Sequence, residues 1–111
     1  MSNLEAPSVG CCGPLTETAI SEADARDVAP LFKAMGDPIR LRLLSMIASS
    51  NGGEICVCEL LEAFDIKAPT ISHHLKVLKE QGLIDGERRG TWVYYRLNPE
   101  SLRLLRTVLG C

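Results

Sequence analysis

Over most of this chain the apolar positions repeat every three or four residues, which is the spacing of helices that bury one face. Polar capping residues and prolines mark where helices start, and glycines mark where they end. These signals predict a first, a second and a last helix, over residues 21–36, 38–48 and 98–110. Pro30 lies inside the first of these and predicts either a kink or a later helix start.

Two shorter helices are predicted between the second and the last one. They cover about residues 56–64 and 69–82, with a short turn between them. In the later helix, Ile71, Leu75 and Leu78 fall at positions i, i+4 and i+7, so they form one apolar face. A helix, a short turn and a second helix make up the helix-turn-helix motif.

Beyond these two helices the pattern changes to that of strands. Leu83–Ile84 and Trp92–Leu97 are apolar segments, the second rich in β-branched and aromatic residues, which favour strands. Residues 85–91 between them are charged and contain two glycines, so a hairpin is predicted with Arg88 and Arg89 at its tip. A helix-turn-helix followed by a basic hairpin is a winged helix-turn-helix, and the predicted fold class is mainly α with a small β-hairpin.

Length and composition limit the domain organisation. With 111 residues, 46% of them apolar, the chain is expected to form one domain, and small domains often gain stability by dimerising. Residues 1–20 are predicted to be a flexible N-terminal segment and residues 21–110 the DNA-binding and dimerisation domain. Because no apolar run reaches about 18 residues and the N-terminus lacks the features of a signal peptide, we expect no membrane association and a cytoplasmic location.

Charge is unevenly distributed along the chain. Residues 1–66 carry four basic and ten acidic side chains, a net charge of −6, whereas residues 67–111 carry eight basic and four acidic ones, a net charge of +4. The basic half can face a phosphate backbone. The alternative is two solvated faces of opposite sign with no partner.

The polar face of the 69–82 helix has the chemistry of a DNA-reading surface. Hydroxyl, imidazole and ammonium groups bind base edges and phosphates, and the face opposite the apolar one carries Thr70, Ser72, His73, Lys76 and Lys79. Arg88 and Arg89 in the wing could enter a minor groove or bind phosphate. Both features could also be solvated surface. A metal site at His73 and His74 is disfavoured, because adjacent helical residues point about 100° apart.

The five cysteines suggest a second kind of chemistry. Cys11 and Cys12 are adjacent in the N-terminal segment, Cys56 and Cys58 are one residue apart, and Cys111 ends the sequence. Thiolates select soft ions. Buried thiols without a ligand, and tail thiols without a role, are the alternatives. Two helical residues at this separation lie about 200° apart, so Cys56 and Cys58 can share one ion only if the first turn is frayed or Cys56 precedes the helix.

Four segments of the sequence resemble the ArsR/SmtB family of metalloregulatory winged-helix repressors: Lys33–Leu44, Glu54–Leu60, Thr70–Leu78 and Arg89–Arg96. The resemblance implies a homodimer built largely from the first and last helices. It implies a repressor that binds operator DNA in the apo form and leaves it when an inducer ion binds. By the family pattern, base contacts fall at Ser72 and His73 and at the helix start; the full predicted DNA-contacting set is Lys67, Ala68, Pro69, Thr70, Ser72, His73, Lys76, Arg88 and Arg89.

The resemblance also implies an ion. Cys-Val-Cys stands where this family senses arsenic, cadmium or lead, but Leu61 stands near where arsenic sensors place a third cysteine. N-terminal cysteines of the other subunit serve this purpose in several members. The predicted ligands are Cys11, Cys12 and Cys56, with Cys58 auxiliary. In the last helix, arginines replace the ligands of the family's zinc or nickel site, so no such site is expected.

The sequence therefore predicts an arsenical resistance repressor that responds to As(III) or Sb(III), with a three-cysteine site, double-stranded operator DNA and a second copy as partners, and no organic cofactor. A cadmium-, lead- or zinc-responsive repressor and a thiol-based redox repressor are alternatives on the same fold. A constitutive DNA-binding protein is a third. An enzyme is not expected, because a Cys-x-Cys within a winged helix lacks a phosphate loop or a strand-based Cys-x-x-Cys.

Overall fold

A computed structural model describes residues 19–110, so Cys11, Cys12 and Cys111 lie outside the described residues. Five helices, three strands and a 3-10 turn at Asn51–Gly53 follow one another along the chain. They are α1 (Glu22–Met35), α2 (Pro38–Ala48), β1 (Glu54–Cys56), α3 (Val57–Glu62), α4 (Ala68–Glu80), β2 (Ile84–Arg89), β3 (Trp92–Leu97) and α5 (Pro99–Leu109). This order confirms the predicted winged helix-turn-helix.

Side-chain caps fix the starts of three helices, α1, α2 and α5. Ser21, Asp37 and Asn98 each accept a backbone N–H of the first turn, at 3.0 Å, before α1, α2 and α5. Such caps satisfy N–H groups that have no partner within the helix. Of the two effects predicted for Pro30, a later start of α1 is wrong, because this helix begins directly after its Ser21 cap and continues through the proline. A kink at Pro30 stays a prediction.

The core forms where the apolar faces of the helices meet one side of the sheet. The predicted apolar face of α4 is buried at Ile71, Leu75 and Leu78. These side chains join residues from α2, α3 and the start of β2 in one cluster, whose largest fully buried members also include Leu43, Ile47, Leu60, Leu83 and Ile84. Helix α4 is therefore held by the same core as the wing.

The sheet differs from the predicted hairpin. It has three antiparallel strands in the order β1-β3-β2, and Cys56 lies opposite Tyr94. The sequence predicted that the helix would include Cys56; instead this residue ends β1. Strand β2 also extends to Arg89, so both wing arginines lie on the strand, and the turn is formed by residues 90–91, with Gly90 at a φ of 65° that favours glycine.

Several large apolar side chains remain exposed on α1 and α5. Leu105 and Val108 of α5 are buried, whereas Leu102 and Leu109 on the same helix are 38% and 60% exposed. Phe32 of α1 is 37% exposed. The part of the chain that the structure describes has no helix long and apolar enough to span a membrane.

Candidate DNA interface and thiol site

The solvent-facing side of α4 presents the predicted DNA-contacting residues together. Lys67 precedes the helix as its N-cap residue and makes no side-chain capping hydrogen bond. Every predicted contact in and before this helix is exposed: Lys67, Ala68, Pro69, Thr70, Ser72, His73 and Lys76. Since the opposite face is buried, this surface is the one that α4 can offer to a groove.

The adjacent histidines of α4 have different surroundings. His73 is exposed, whereas His74 is half-buried, with its Nδ1 3.2 Å from an Arg40 guanidinium nitrogen and 4.0 Å from Asp37 Oδ2. Arg40 Nε also donates to the Ala34 carbonyl at the end of α1, at 2.6 Å. The end of α1, the start of α2 and helix α4 are thus joined by one polar network.

Asp37 is the carboxylate of this network. Its Oδ2 accepts the backbone N–H groups of Ile39 and Arg40, at 3.0 and 3.1 Å. Hydrogen bonds favour the ionised carboxylate, so the Arg40 N–H, followed by nearby His74, lowers the pKa of Asp37 despite some desolvation. Asp37 therefore remains ionised and keeps α2 capped at neutral pH.

The two wing arginines also differ. Arg88 is exposed and forms no ion pair with residues 19–110. Arg89 binds both carboxylate oxygens of Glu54, at 2.5 and 2.9 Å, and one of Glu87, at 2.8 Å. Its guanidinium carbon lies 4.7 Å from the centre of the Tyr94 ring. Arg88 is therefore available to a partner, whereas Arg89 is already held by two carboxylates.

These contacts shift the ionisation of the carboxylates. The hydrogen bond from Arg89 lowers the pKa of Glu54 and of Glu87, and Arg96 adds a smaller effect on both. The same two hydrogen bonds raise the pKa of Arg89. The cluster is consequently fully ionised over the physiological pH range.

The thiol pair, Cys56 and Cys58, lies where β1 joins α3. Cys56 precedes α3 as its N-cap, and its Sγ accepts the Cys58 N–H at 3.2 Å. The Cα atoms are 5.2 Å apart and the two sulfur atoms are in direct contact. Cys56 is buried and Cys58 is half-buried. Only Cys58 belongs to the helix, so the two side chains are not separated by the 200° of rotation expected for two helical residues at this spacing. The reason for treating Cys58 as an auxiliary ligand is therefore lost.

The pair by itself is an incomplete ion site. Within residues 19–110, no three His, Cys, Asp or Glu side chains converge where they could hold a metal ion. Leu61, near which arsenic sensors carry a third cysteine, packs against the core. Any further ligand must therefore come from outside the described part of the chain or from another molecule.

Sequence reasoning missed two long-range side-chain contacts next to the predicted site residues. Glu54 reaches Arg89, which is 35 residues away in sequence, and Arg40 reaches His74, which is 34 residues away. The charges of these residues are visible in the sequence, but their partners depend on how β1 pairs with β3 and how α2 packs on α4. No local pattern could have found either pair.

An exposed polar helix after a short turn, carried on a buried apolar face and followed by a basic hairpin, defines a winged helix-turn-helix DNA-binding protein. Residues 37–85 match the family described as "Bacterial regulatory protein, arsR family". The chain belongs to this ArsR family. The members of this family are regulatory proteins.

Two curated relatives and one solved structure illustrate the match. The chain is 47% identical over 70 residues to the "Arsenic resistance transcriptional regulator ArsR1" of Pseudomonas putida, a match covering 63% of this chain and 53% of that protein, about half its length. It is 41% identical over 81 residues to the "Arsenical resistance operon repressor" of Bacillus subtilis, covering 72% and 75%. The transcriptional repressor BigR of Xylella fastidiosa superposes with a TM-score of 0.64 at 32% identity, covering 81% and 92%.

Proposed function

We propose that this protein is an arsenical resistance repressor that binds operator DNA as a homodimer and releases it when As(III) or Sb(III) binds. The observation that carries the proposal is the contact between the Cys56 and Cys58 sulfur atoms at the junction of β1 and α3. The names of the Pseudomonas and Bacillus relatives support arsenic as the inducing element.

The chemistry of the thiol pair fits a soft ion. Thiolates bind such ions, and a site of sulfur atoms alone, with no nitrogen or carboxylate, suits trigonal arsenite or antimonite. Cys56 and Cys58 supply two ligands. Cys11 or Cys12 of the partner subunit supplies the third. A fourth sulfur, if both N-terminal cysteines bind, would instead favour tetrahedral cadmium, lead or zinc.

The exposed face of α4 reads the operator from the major groove. Ala68, Pro69, Thr70, Ser72 and His73 approach base edges, and Lys67 and Lys76 bind the backbone. Arg88 of the wing reaches the adjacent minor groove or its phosphates. The exposure of all these residues supports this assignment.

The exposed apolar residues of α1 and α5 support a homodimer. Phe32 lines an apolar groove between these helices together with Ile20, Ala25, Val28, Ala29 and Val108, and Leu104 and Leu109 of α5 are also exposed. A second copy that covers this surface would remove apolar area from water. The two copies of α4 would then meet successive major-groove segments.

Titration of arsenite against operator-bound protein tests the proposal. The duplex is selected from a random pool by the apo protein, and fluorescence anisotropy reports its release. Wild-type protein should release the duplex, whereas Cys56→Ser and Cys58→Ser should retain it, and Cys111→Ser should behave like wild type. X-ray absorption of the arsenite-loaded protein should show three sulfur neighbours. Normal release by Cys56→Ser and Cys58→Ser would refute this site.

The contact between the sulfur atoms also favours a second candidate, a thiol-based redox repressor. In that reaction peroxide oxidises the two thiols to a Cys56–Cys58 disulfide, and its two oxygen atoms leave as water. Peroxide should then release the duplex, dithiothreitol should restore binding, and arsenite should have no effect. Release by arsenite under reducing conditions would favour the arsenical response.

A further inference from the structure

Arg89 joins the two outer strands of the sheet across the central one. Strand β3 lies between β1 and β2. From β2, the Arg89 side chain passes the ring of Tyr94 on β3 and binds Glu54 on β1 with both guanidinium NH₂ nitrogens. Glu87, also on β2, binds the same guanidinium group. We name Glu54, Glu87 and Arg89 the wing clasp.

The wing clasp is directly connected to the thiol pair. Glu54 and Cys56 are two residues apart in one strand, so they share a face of the sheet. Tyr94, on which Arg89 rests, is opposite both Cys56 and Glu87 in the strand register. A displacement of β1 at Cys56 therefore reaches Arg89 in two ways, through the strand to Glu54 and across the ladder to Tyr94.

The clasp also connects the wing with the helix-turn-helix. β1 continues without a break into α3, the first helix of that motif. A guanidinium group that binds a carboxylate through two hydrogen bonds fixes direction as well as distance. Contact between β2 and β1 through Arg89 consequently limits how far the wing can rotate away from the residues that lead into α3.

We propose that the wing clasp holds the wing at the angle required for operator binding, with Arg89 as a positioning residue and Arg88 as the wing cation that contacts DNA. Arsenite at the thiol pair would lower operator affinity in part by loosening this clasp. This second part rests on the proposed arsenical response, whereas the first part concerns the apo protein alone.

A phosphate-binding role for Arg89 leads to opposite expectations. If Arg89 bound DNA, Glu54 would compete with phosphate for it, and Glu54→Gln would raise operator affinity. Arg89→Lys would keep the charge and retain most of the affinity. If Arg89 positions the wing, both substitutions lower affinity, because lysine presents a single ammonium group and cannot bind Glu54 through two nitrogens while also holding Glu87.

The experiment measures apo operator affinity at several salt concentrations for Glu54→Gln, Arg89→Lys, Arg89→Gln and the double variant Glu54→Gln/Arg89→Gln. Glu62→Gln is the matched control for loss of a negative charge, because Glu62 is exposed on α3 and pairs with no cation within residues 19–110. Arg88→Gln is the control for a true wing contact. Surface ion pairs add little to stability, so all variants should fold, as circular dichroism can verify.

We expect each single clasp variant to lose roughly ten-fold in affinity, within the usual range of coupling between sites, and the double variant to lose no more. The salt dependence should stay at the wild-type slope, whereas Arg88→Gln should reduce that slope by about 1.8, because the homodimer loses two phosphate contacts. The clasp is refuted if Arg89→Lys binds like wild type, if Arg89→Gln reduces the slope, or if Glu54→Gln binds more tightly than Glu62→Gln.

Arsenite provides the second readout. The ratio of operator affinity without and with arsenite should be smaller in Arg89→Lys than in wild type, because the clasp is already broken. If this ratio is unchanged while apo affinity falls, the clasp positions the wing but does not transmit the ion signal. If wild type itself does not respond, the proposed arsenical function fails, and the apo measurements still decide the role of Arg89.

Discussion

Replacing Arg40 with methionine should weaken both the fold and operator binding. Methionine keeps an unbranched stem of similar length, but it removes the 2.6 Å hydrogen bond to the Ala34 carbonyl and the 3.2 Å contact with His74. The Ala34 carbonyl belongs to the last turn of α1, where backbone acceptors lack helical partners. A hydrogen bond from a charged group contributes about 1.5–3 kcal/mol.

Two such interactions at a half-buried site give an expected loss of about 2 kcal/mol, because water partly replaces both. For a domain of this size this corresponds to a fall of roughly 8–16 °C in the melting temperature. Operator affinity should fall as well, since His74 belongs to the DNA-reading helix. Urea unfolding and fluorescence anisotropy, at one fixed protein concentration because a dimer dissociates on unfolding, measure the two effects.

Arg26→Met is the matched control. Among residues 19–110, Arg26 pairs only with Glu22, an exposed residue one helical turn away, so its loss should leave stability and operator affinity within error of wild type. The role assigned to the polar network is refuted if Arg40→Met is also within error. It is refuted in part if stability falls while operator affinity does not, because His74 would then not depend on Arg40.

Three further predictions concern the core, the acid stability and the DNA contacts. Leu75→Ala should lower the free energy of unfolding by about 2–5 kcal/mol in urea titrations, since a fully buried side chain leaves a cavity; a loss below about 1 kcal/mol would contradict the packing described. Glu54 and Glu87 have lowered pKa values in the fold, led by hydrogen bonds from Arg89, so their stabilisation is complete above the ordinary glutamate pKa of about 4.3 and is lost as pH falls through the lowered values. In Glu54→Gln, the free energy of unfolding should therefore fall less on acidification than in wild type. An unchanged dependence on pH would argue against the ion pairs. Lys76→Gln should weaken binding to all duplexes alike and reduce the salt slope by about 1.8, one phosphate contact for each subunit of the homodimer, whereas a sequence-dependent loss would indicate a base contact.

Local signals in the sequence were sufficient for the starts of α1, α2 and α5 and for the buried face of α4. Ser21, Asp37 and Asn98 mark helix starts because a capping oxygen acts within three residues, and Ile71, Leu75 and Leu78 mark a buried face because helical periodicity is also local. The DNA-facing residues within α4 from Thr70 onward follow from the same periodicity. Ala68 and Pro69 came from the family resemblance, and Arg88 from the predicted hairpin.

The pairing of strands and side chains that are distant in sequence could not be predicted. Strand β1 has three residues, too few to show alternation, and its partner β3 begins more than thirty residues later. Without that strand, the sequence places Cys56 in a helix, where its side chain would point away from that of Cys58. The structure instead brings the two sulfur atoms together. The pairing of Arg89 with Glu54 depends on the same strand, so one missed element accounts for both differences.

The placement of the thiol pair separates the residues proposed to select the ion from those proposed to select the operator. In the proposed function, the ion binds the side chains at positions 56 and 58, with Val57 between them packed against the core, whereas the operator is read by side chains beginning nine residues later at Lys67. No residue belongs to both sets. Exchanging the residues at positions 56 and 58 can therefore alter which ion is recognised while the operator stays the same, and exchanging the exposed face of α4 can redirect the protein to a new operator while its inducer stays the same.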